Sequence, residues 1–175
     1  MTSYSDGMES GTAALERLLD TQDKGLLVIG CPLLRGVARD ALEEVVRDST
    51  AVVAYRGQTL MEEGELATDV FHVVKGRIEL RVESISPNME VEIAKLGEGE
   101  VFGETILLDE QRRHVTAVAS EPSILLQIPA VTLRGTCRKN PQAGAVIYRN
   151  AAEILAARLR RANQRMVTYL RRLHY

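Results

Sequence analysis

The chain has 175 residues, 45% of them hydrophobic and 26% charged, with a formal net charge of −2. That length supports one domain plus an appendage with a real core, and the composition reads as soluble and globular. The longest apolar run, Leu26 to Leu34, is broken by Gly30 and Pro32 and follows Asp20 and Asp23. It is too short to cross a bilayer and lacks the basic flank of a signal peptide, so a cytoplasmic protein without membrane attachment is expected.

The small net charge hides an asymmetry. From Arg138 onward there are nine Lys or Arg against one acid, whereas the preceding part carries 13 bases and 23 acids. The basic end can meet the acidic body, an acidic partner, a nucleic acid or an anionic membrane.

Residues 1–9 are small and polar and are expected to be disordered. A helical segment is expected over 10–49. Leu15, Leu18 and Leu19 mark a helix within Thr12–Thr21, and Ala38, Ala41, Leu42, Val45 and Val46 mark a second within Leu33–Asp48. From residue 50 to 129 the pattern changes to period two with glycine punctuation. Strands are predicted at 51–55, 59–61 and 70–74, followed by a Lys75–Gly76 turn. Ile78, Leu80 and Val82 alternate with Arg77, Glu79, Arg81 and Glu83, which gives a strand with one buried face. A loop over Ser84–Asn88 leads to a strand over 89–96, and 115–119 and 124–128 form a closing pair. About eight short strands at this spacing predict an antiparallel β-roll of the double-stranded β-helix or jelly-roll kind. The fold class is α+β.

Residues 130–175 read as C-terminal helices: a short one over 129–138, then a long one from Pro141 to Leu173, proline suiting its first turn. Tyr148, Ala152, Leu155, Leu159, Ala162, Met166, Tyr169 and Leu173 recur at alternating four- and three-residue steps, a heptad seam. Pairing with the same helix of a second chain, as a homodimer, is the expected use of that seam. The arginines of this helix, including Arg158, Arg161 and Arg165, read as solvated.

The stretch from Phe102 to Ala119 carries the chemistry. Gly103 lets the backbone approach a ligand. The amides of Thr105 and Ile106 open a helical turn and can face an anion. Glu104 can accept from a sugar hydroxyl, and Arg113, nine residues on, can hold a phosphate with a planar fork. Arg112 can take that role in a shifted register.

Phe102, Gly103, Glu104, Leu107, Arg113, Thr116 and Ala119 together resemble the phosphate-binding cassette of the cyclic-nucleotide-binding domain, the type found in bacterial catabolite activators and kinase regulatory subunits. The turn glycines at 57, 64, 76, 97 and 103 extend the resemblance over about residues 25–170. It implies that Glu104 binds the ribose hydroxyl and Arg113 the cyclic phosphate. It also implies that the long helix caps the base and forms the dimer interface, which puts Ala162 and Asn163 near the base. Ile106 stands where the family carries a small residue, and its branched side chain is expected to crowd the phosphate.

His72, His114 and His174 have no metal-ligand spacing, and no nucleophile elbow, P-loop or paired-carboxylate motif stands out. Neither a metal, a cofactor nor catalysis is expected. Cys31 and Cys137 read as small buried hydrophobes. The chain shows no helix pair to enter a DNA groove after the long helix, so sequence-specific DNA binding is not expected. The leading reading is a sensor that binds cyclic AMP or cyclic GMP through Phe102, Gly103, Glu104, Thr105, Ile106, Arg112, Arg113, Thr116 and Asn163, and signals through its last helix to an unnamed protein partner. The alternative is a degenerate fold serving as a ligand-independent dimerisation module.

Overall fold

The computed structural model describes residues 24–83, 90–109 and 112–173. The expected disordered terminus, the Thr12–Thr21 helix and the Ser84–Asn88 loop lie outside those residues. The described residues form eight strands, seven where the alternation predicts them and a two-residue strand, Val101–Phe102, that it does not mark: β1 (Thr50–Ala54), β2 (Thr59–Met61), β3 (Asp69–Lys75), β4 (Ile78–Glu83), β5 (Glu90–Leu96), β6 (Val101–Phe102), β7 (Thr116–Ala119) and β8 (Ser123–Pro129). They form two antiparallel sheets in the orders β1-β8-β3-β6 and β2-β7-β4-β5. This is the expected β-roll.

One core fills the roll. Met61, Phe71, Val73, Ile78, Leu80, Leu96, Phe102 and Leu125 pack between the sheets. Phe71 and Phe102 face each other across the β3–β6 pairing, with ring centroids 5.0 Å apart and planes 12° from parallel. Strand alternation sends the next residues outward. Val70 on β3 and Leu126 and Ile128 on β8 leave the roll on its other side and join a second core with the helices. That is why β8 reads as a nearly continuous apolar run: both of its faces are buried.

The helical prelude differs from the expected one. The Leu33–Asp48 segment is divided into a 3-10 turn at Pro32–Leu34, another at Arg39–Leu42, and a short helix over Glu43–Asp48. The break falls at Gly36, whose φ of 81° lies in the left-handed region that ends a helix. An additional helix, α1 (Lys24–Gly30), precedes it, and the Glu43–Asp48 helix is α2. The first half of the apolar run Leu26–Leu34 is therefore helical, with Leu27 and Val28 buried.

After the cassette turn, α3 (Ile106–Asp109), come α4 (Ala130–Lys139) and α5 (Pro141–Leu173). Helix α5 is 33 residues long. Its first half buries Ala143, Gly144, Ile147, Asn150 and Ala151, a stripe at three- and four-residue steps. Asn150 donates from Nδ2 to the carbonyls of Leu33 (3.0 Å) and Arg35 (2.9 Å), which ties α5 to the prelude. The predicted heptad seam is a different stripe. Leu159, Met166 and Tyr169 are about 60% exposed in the single chain, while the half-buried Leu155 and the exposed Ala162 border a cavity against the roll.

Candidate functional site

The site grows out of the turn between β6 and β7. Phe102 is fully buried and anchors one end of the turn in the roll core. Gly103 follows with φ 78°. A Cβ on it would lie 2.6 Å from Nη1 of Arg113 and 2.9 Å from the carbonyl oxygen of Asp69, so the backbone and the guanidinium pack together only because no side chain intervenes. Glu104 comes next and is fully buried. Its backbone carbonyl accepts from Leu107 N–H at 3.1 Å and starts the α3 turn.

Arg113 reaches the same place from the other side of the turn. Its backbone is locked by N–H donation to the Glu65 carbonyl (2.9 Å), while its own carbonyl accepts from Gly64 N–H (2.8 Å). The side chain is 6% exposed, and Nη2 donates to the Asp69 carbonyl at 2.8 Å. Burial pulls its ionisation below the usual arginine value, opposed by Asp69, Glu65 and Glu104. Nε and Nη1 of Arg113 are buried without a hydrogen-bond partner, as is Oε2 of Glu104.

A third side chain arrives from α5. Arg158 donates from Nη1 to Oε1 of Glu104 at 2.6 Å and from Nη2 to the Val101 carbonyl at 2.6 Å. Burial raises the Glu104 carboxyl above its ordinary value and outweighs the attraction of Arg158 and Arg113. Farther along the helix, Arg161 pairs with Glu100 at 2.7 Å, and Arg165 donates to the Ile93 carbonyl on β5. These three arginines, at i, i+3 and i+7, share one face of α5 and hold it over the roll. Beneath them is a cavity of about 270 Å³ lined by Gly103, Glu104, Arg113, Leu80, Leu96, Val115 and Leu155, with the Arg158–Glu104 contact at one end and the Arg165–Ile93 contact seven helix residues farther on.

The predicted site residues divide into two groups. Phe102, Gly103, Glu104, Thr105 and Arg113 line the cavity. Ile106, Arg112, Thr116 and Asn163 do not. Ile106 is 3% exposed but packs in the helix-side core, so its branched side chain does not crowd the cavity as expected. Arg112 donates to the Gly64 carbonyl at 2.7 Å on the surface, which leaves the guanidinium position to Arg113. The hydroxyl of Thr116 accepts from Glu63 N–H at 3.1 Å, outside the cavity. Asn163 is exposed, one position beyond the lining Ala162. Sequence reasoning missed Arg158, treating it as solvated; the spacing of Arg158, Arg161 and Arg165 on one helix face was the available signal.

Among the described residues, no group of three His, Cys, Asp or Glu side chains is placed to hold a metal. No helix of the described residues is long and apolar enough to cross a membrane.

Comparison with known proteins agrees with this fold. The family model of the cyclic nucleotide-binding domain matches residues 51–140. The chain belongs to the cyclic-nucleotide-binding domain family. It is 31% identical over 134 residues to the cyclic AMP receptor protein of Thermus thermophilus, covering 77% of this chain and 60% of that one. The crystal structure of the Thermus thermophilus catabolite activator protein superposes with a TM-score of 0.63 at 29% identity, over 79% of this chain and 62% of that one. A cyclic nucleotide-binding domain from Methylobacillus flagellatus shares the fold with a TM-score of 0.73 at 18% identity, over 85% and 87% of the two chains. The chain spans 60% of the Thermus relative and as little as 20% of another curated relative, a glutaminase of Bradyrhizobium diazoefficiens. The likeness to the glutaminase is confined to part of that protein.

Proposed function

We propose that this cyclic-nucleotide-binding domain is a sensor for a cyclic nucleoside monophosphate. The observation that carries the reading is the set of buried, unpartnered polar atoms at one end of the cavity. Oε2 of Glu104 accepts the ribose hydroxyl, and Nε and Nη1 of Arg113 donate to the phosphate. A buried polar atom without a partner is costly, so a group that satisfies all three is favoured there. Thr105, which lines the cavity beside Glu104, is the further polar residue available to the same phosphate.

Signalling runs through α5. A ligand hydroxyl on Glu104 alters the contact that Arg158 makes with the same carboxylate, so occupancy and helix position are linked. The exposed stripe of Leu159, Met166 and Tyr169 pairs with its equivalent in a second copy, and a partner protein reads the resulting arrangement. The protein acts in the cytoplasm as a regulatory module, with no reaction and no cofactor of its own.

The test is calorimetric titration with cyclic AMP and cyclic GMP. Binding is expected for the parent, and Arg113→Ala is expected to weaken it by roughly 100-fold, the loss of a two-pronged charged contact. No heat with either nucleotide at millimolar concentration, from a folded protein, defeats the reading.

A further inference from the structure

Among the described residues, the end of the cavity away from Glu104 and Arg113 presents the Arg165 donors and no carboxylate. Among the described residues that line the cavity, Glu104 is the only acid, and Arg158 holds it at the opposite end. Helix α5 contributes Ala162 and Arg165 to the far end. Ala162 offers no hydrogen-bonding group. Two nearby cations are already matched: Arg161 pairs with Glu100, and Lys95 pairs with Glu79 and Glu92. Glu100 is itself fully used, since its other oxygen accepts from Gly97 N–H at 3.0 Å. Arg165 differs. Among the described residues it makes no ion pair, and its recorded contact is the Ile93 carbonyl. The seven-residue step from Arg158 to Arg165 spans roughly 10 Å along the helix, about the reach of a nucleotide from sugar to base edge.

The two purines ask different things of such an end. Guanine presents O6 and N7, two adjacent acceptors that suit the parallel N–H pair of a guanidinium. Adenine presents N7 beside an amino group, a donor that needs an acceptor. We infer that Arg165 is a specificity-determining residue that reads the O6 and N7 edge of guanine, so that the site prefers cyclic GMP over cyclic AMP. The inference rests on the sensor reading above. Arg165 exchanges the Ile93 carbonyl for the base, while the apolar walls at Leu80, Leu96 and Val115 hold the ring without discriminating between purines.

The experiment titrates the full chain with cyclic GMP, cyclic AMP and cyclic IMP, for the parent and for Arg165→Ala. Cyclic GMP is expected to bind about tenfold more tightly than cyclic AMP, the lower part of the range for a two-pronged arginine–guanine contact. Cyclic IMP, which keeps O6 and N7 but lacks the 2-amino group, is expected to follow cyclic GMP. Arg165→Ala should remove the preference by weakening cyclic GMP and cyclic IMP about tenfold more than cyclic AMP. Equal or tighter binding of cyclic AMP to the parent overturns the assignment and leaves the sensor reading intact. So does a parallel loss for all three nucleotides in the variant. Absence of binding by any of them overturns both. Circular dichroism of the variant reports whether α5 is retained, and Arg165→Lys is a second check. A compact ammonium lacks the fork, so it should recover little of the preference.

Discussion

Arg158 and Glu104 lie 54 residues apart in sequence and meet at 2.6 Å between Nη1 and Oε1. The carboxylate is fully buried, and the guanidinium side chain is 25% exposed. The contact joins the cassette turn to the C-terminal helix at the cavity wall. Glu104 thereby keeps one oxygen for the helix and one for the cavity.

Gly103 is the first place to test that construction. Gly103→Ala forces a side chain into the left-handed region and into Nη1 of Arg113. It is expected to cost about 1–3 kcal/mol of stability from backbone strain and to displace the guanidinium. Urea unfolding should show the lower midpoint, and calorimetry a weaker response to cyclic nucleotide. An alanine variant with unchanged stability would mean that the turn does not hold this backbone shape.

Glu104 works against the stability of the fold. Its carboxyl is raised by burial. A raised folded value means a contribution fully present below the ordinary carboxylate range and lost as pH rises through the folded value. The charged form is therefore the less favoured one in the folded protein. Glu104→Gln keeps an acceptor for Arg158 and removes the buried charge. It should raise the urea midpoint at neutral pH by the equivalent of about 1 kcal/mol while weakening cyclic nucleotide by tenfold or more. A lower midpoint would show that attraction to Arg158 outweighs burial.

His72 gives the acid limb of the stability profile. It is 5% exposed on β3, and burial lowers its value from 6.5 to about 4. Between those values the unfolded chain binds a proton that the folded protein does not. Stability from this group is therefore present above the unfolded value and falls as the medium is acidified through the window. The full loss is roughly 3 kcal/mol. His72→Leu, measured beside the parent so that Glu104 cancels, should flatten the profile between pH 6.5 and 4. An identical slope in both proteins would refute a neutral buried imidazole.

The exposed stripe on α5 is tested by charge. Leu159→Glu combined with Met166→Glu places like charges on the face proposed for pairing. Light scattering is expected to show the parent as a dimer and the double variant as a monomer, with α5 helicity retained. A parent that is monomeric at high micromolar concentration rules out pairing through this face.

Much of this molecule was legible in its residues because two periodicities are strong. Alternation placed the strands of the roll, and the turn glycines separated them. Phe102, Gly103, Glu104 and Arg113 were legible as one site because they fall in a short stretch whose chemistry converges on a sugar and a phosphate. The division of the prelude at Gly36 was less legible, since a single glycine within an apolar helical pattern does not announce a left-handed φ.

The sequence by itself determined the roll, the long helix and the convergence of Glu104 and Arg113 on one cavity, since local periodicity and short-range spacing encode all three. Only the tertiary structure decided which side of each residue meets the cavity. It turned Ile106 into the helix-side core and Thr116 to the outside, and it brought Arg158 across 54 residues to Glu104. A helix presents several faces, and its sequence does not say which of them the rest of the fold will cover. That choice is made by packing at long range, where the stripe from Ala143 to Ala151 docks on the prelude and so turns the arginine face toward the roll.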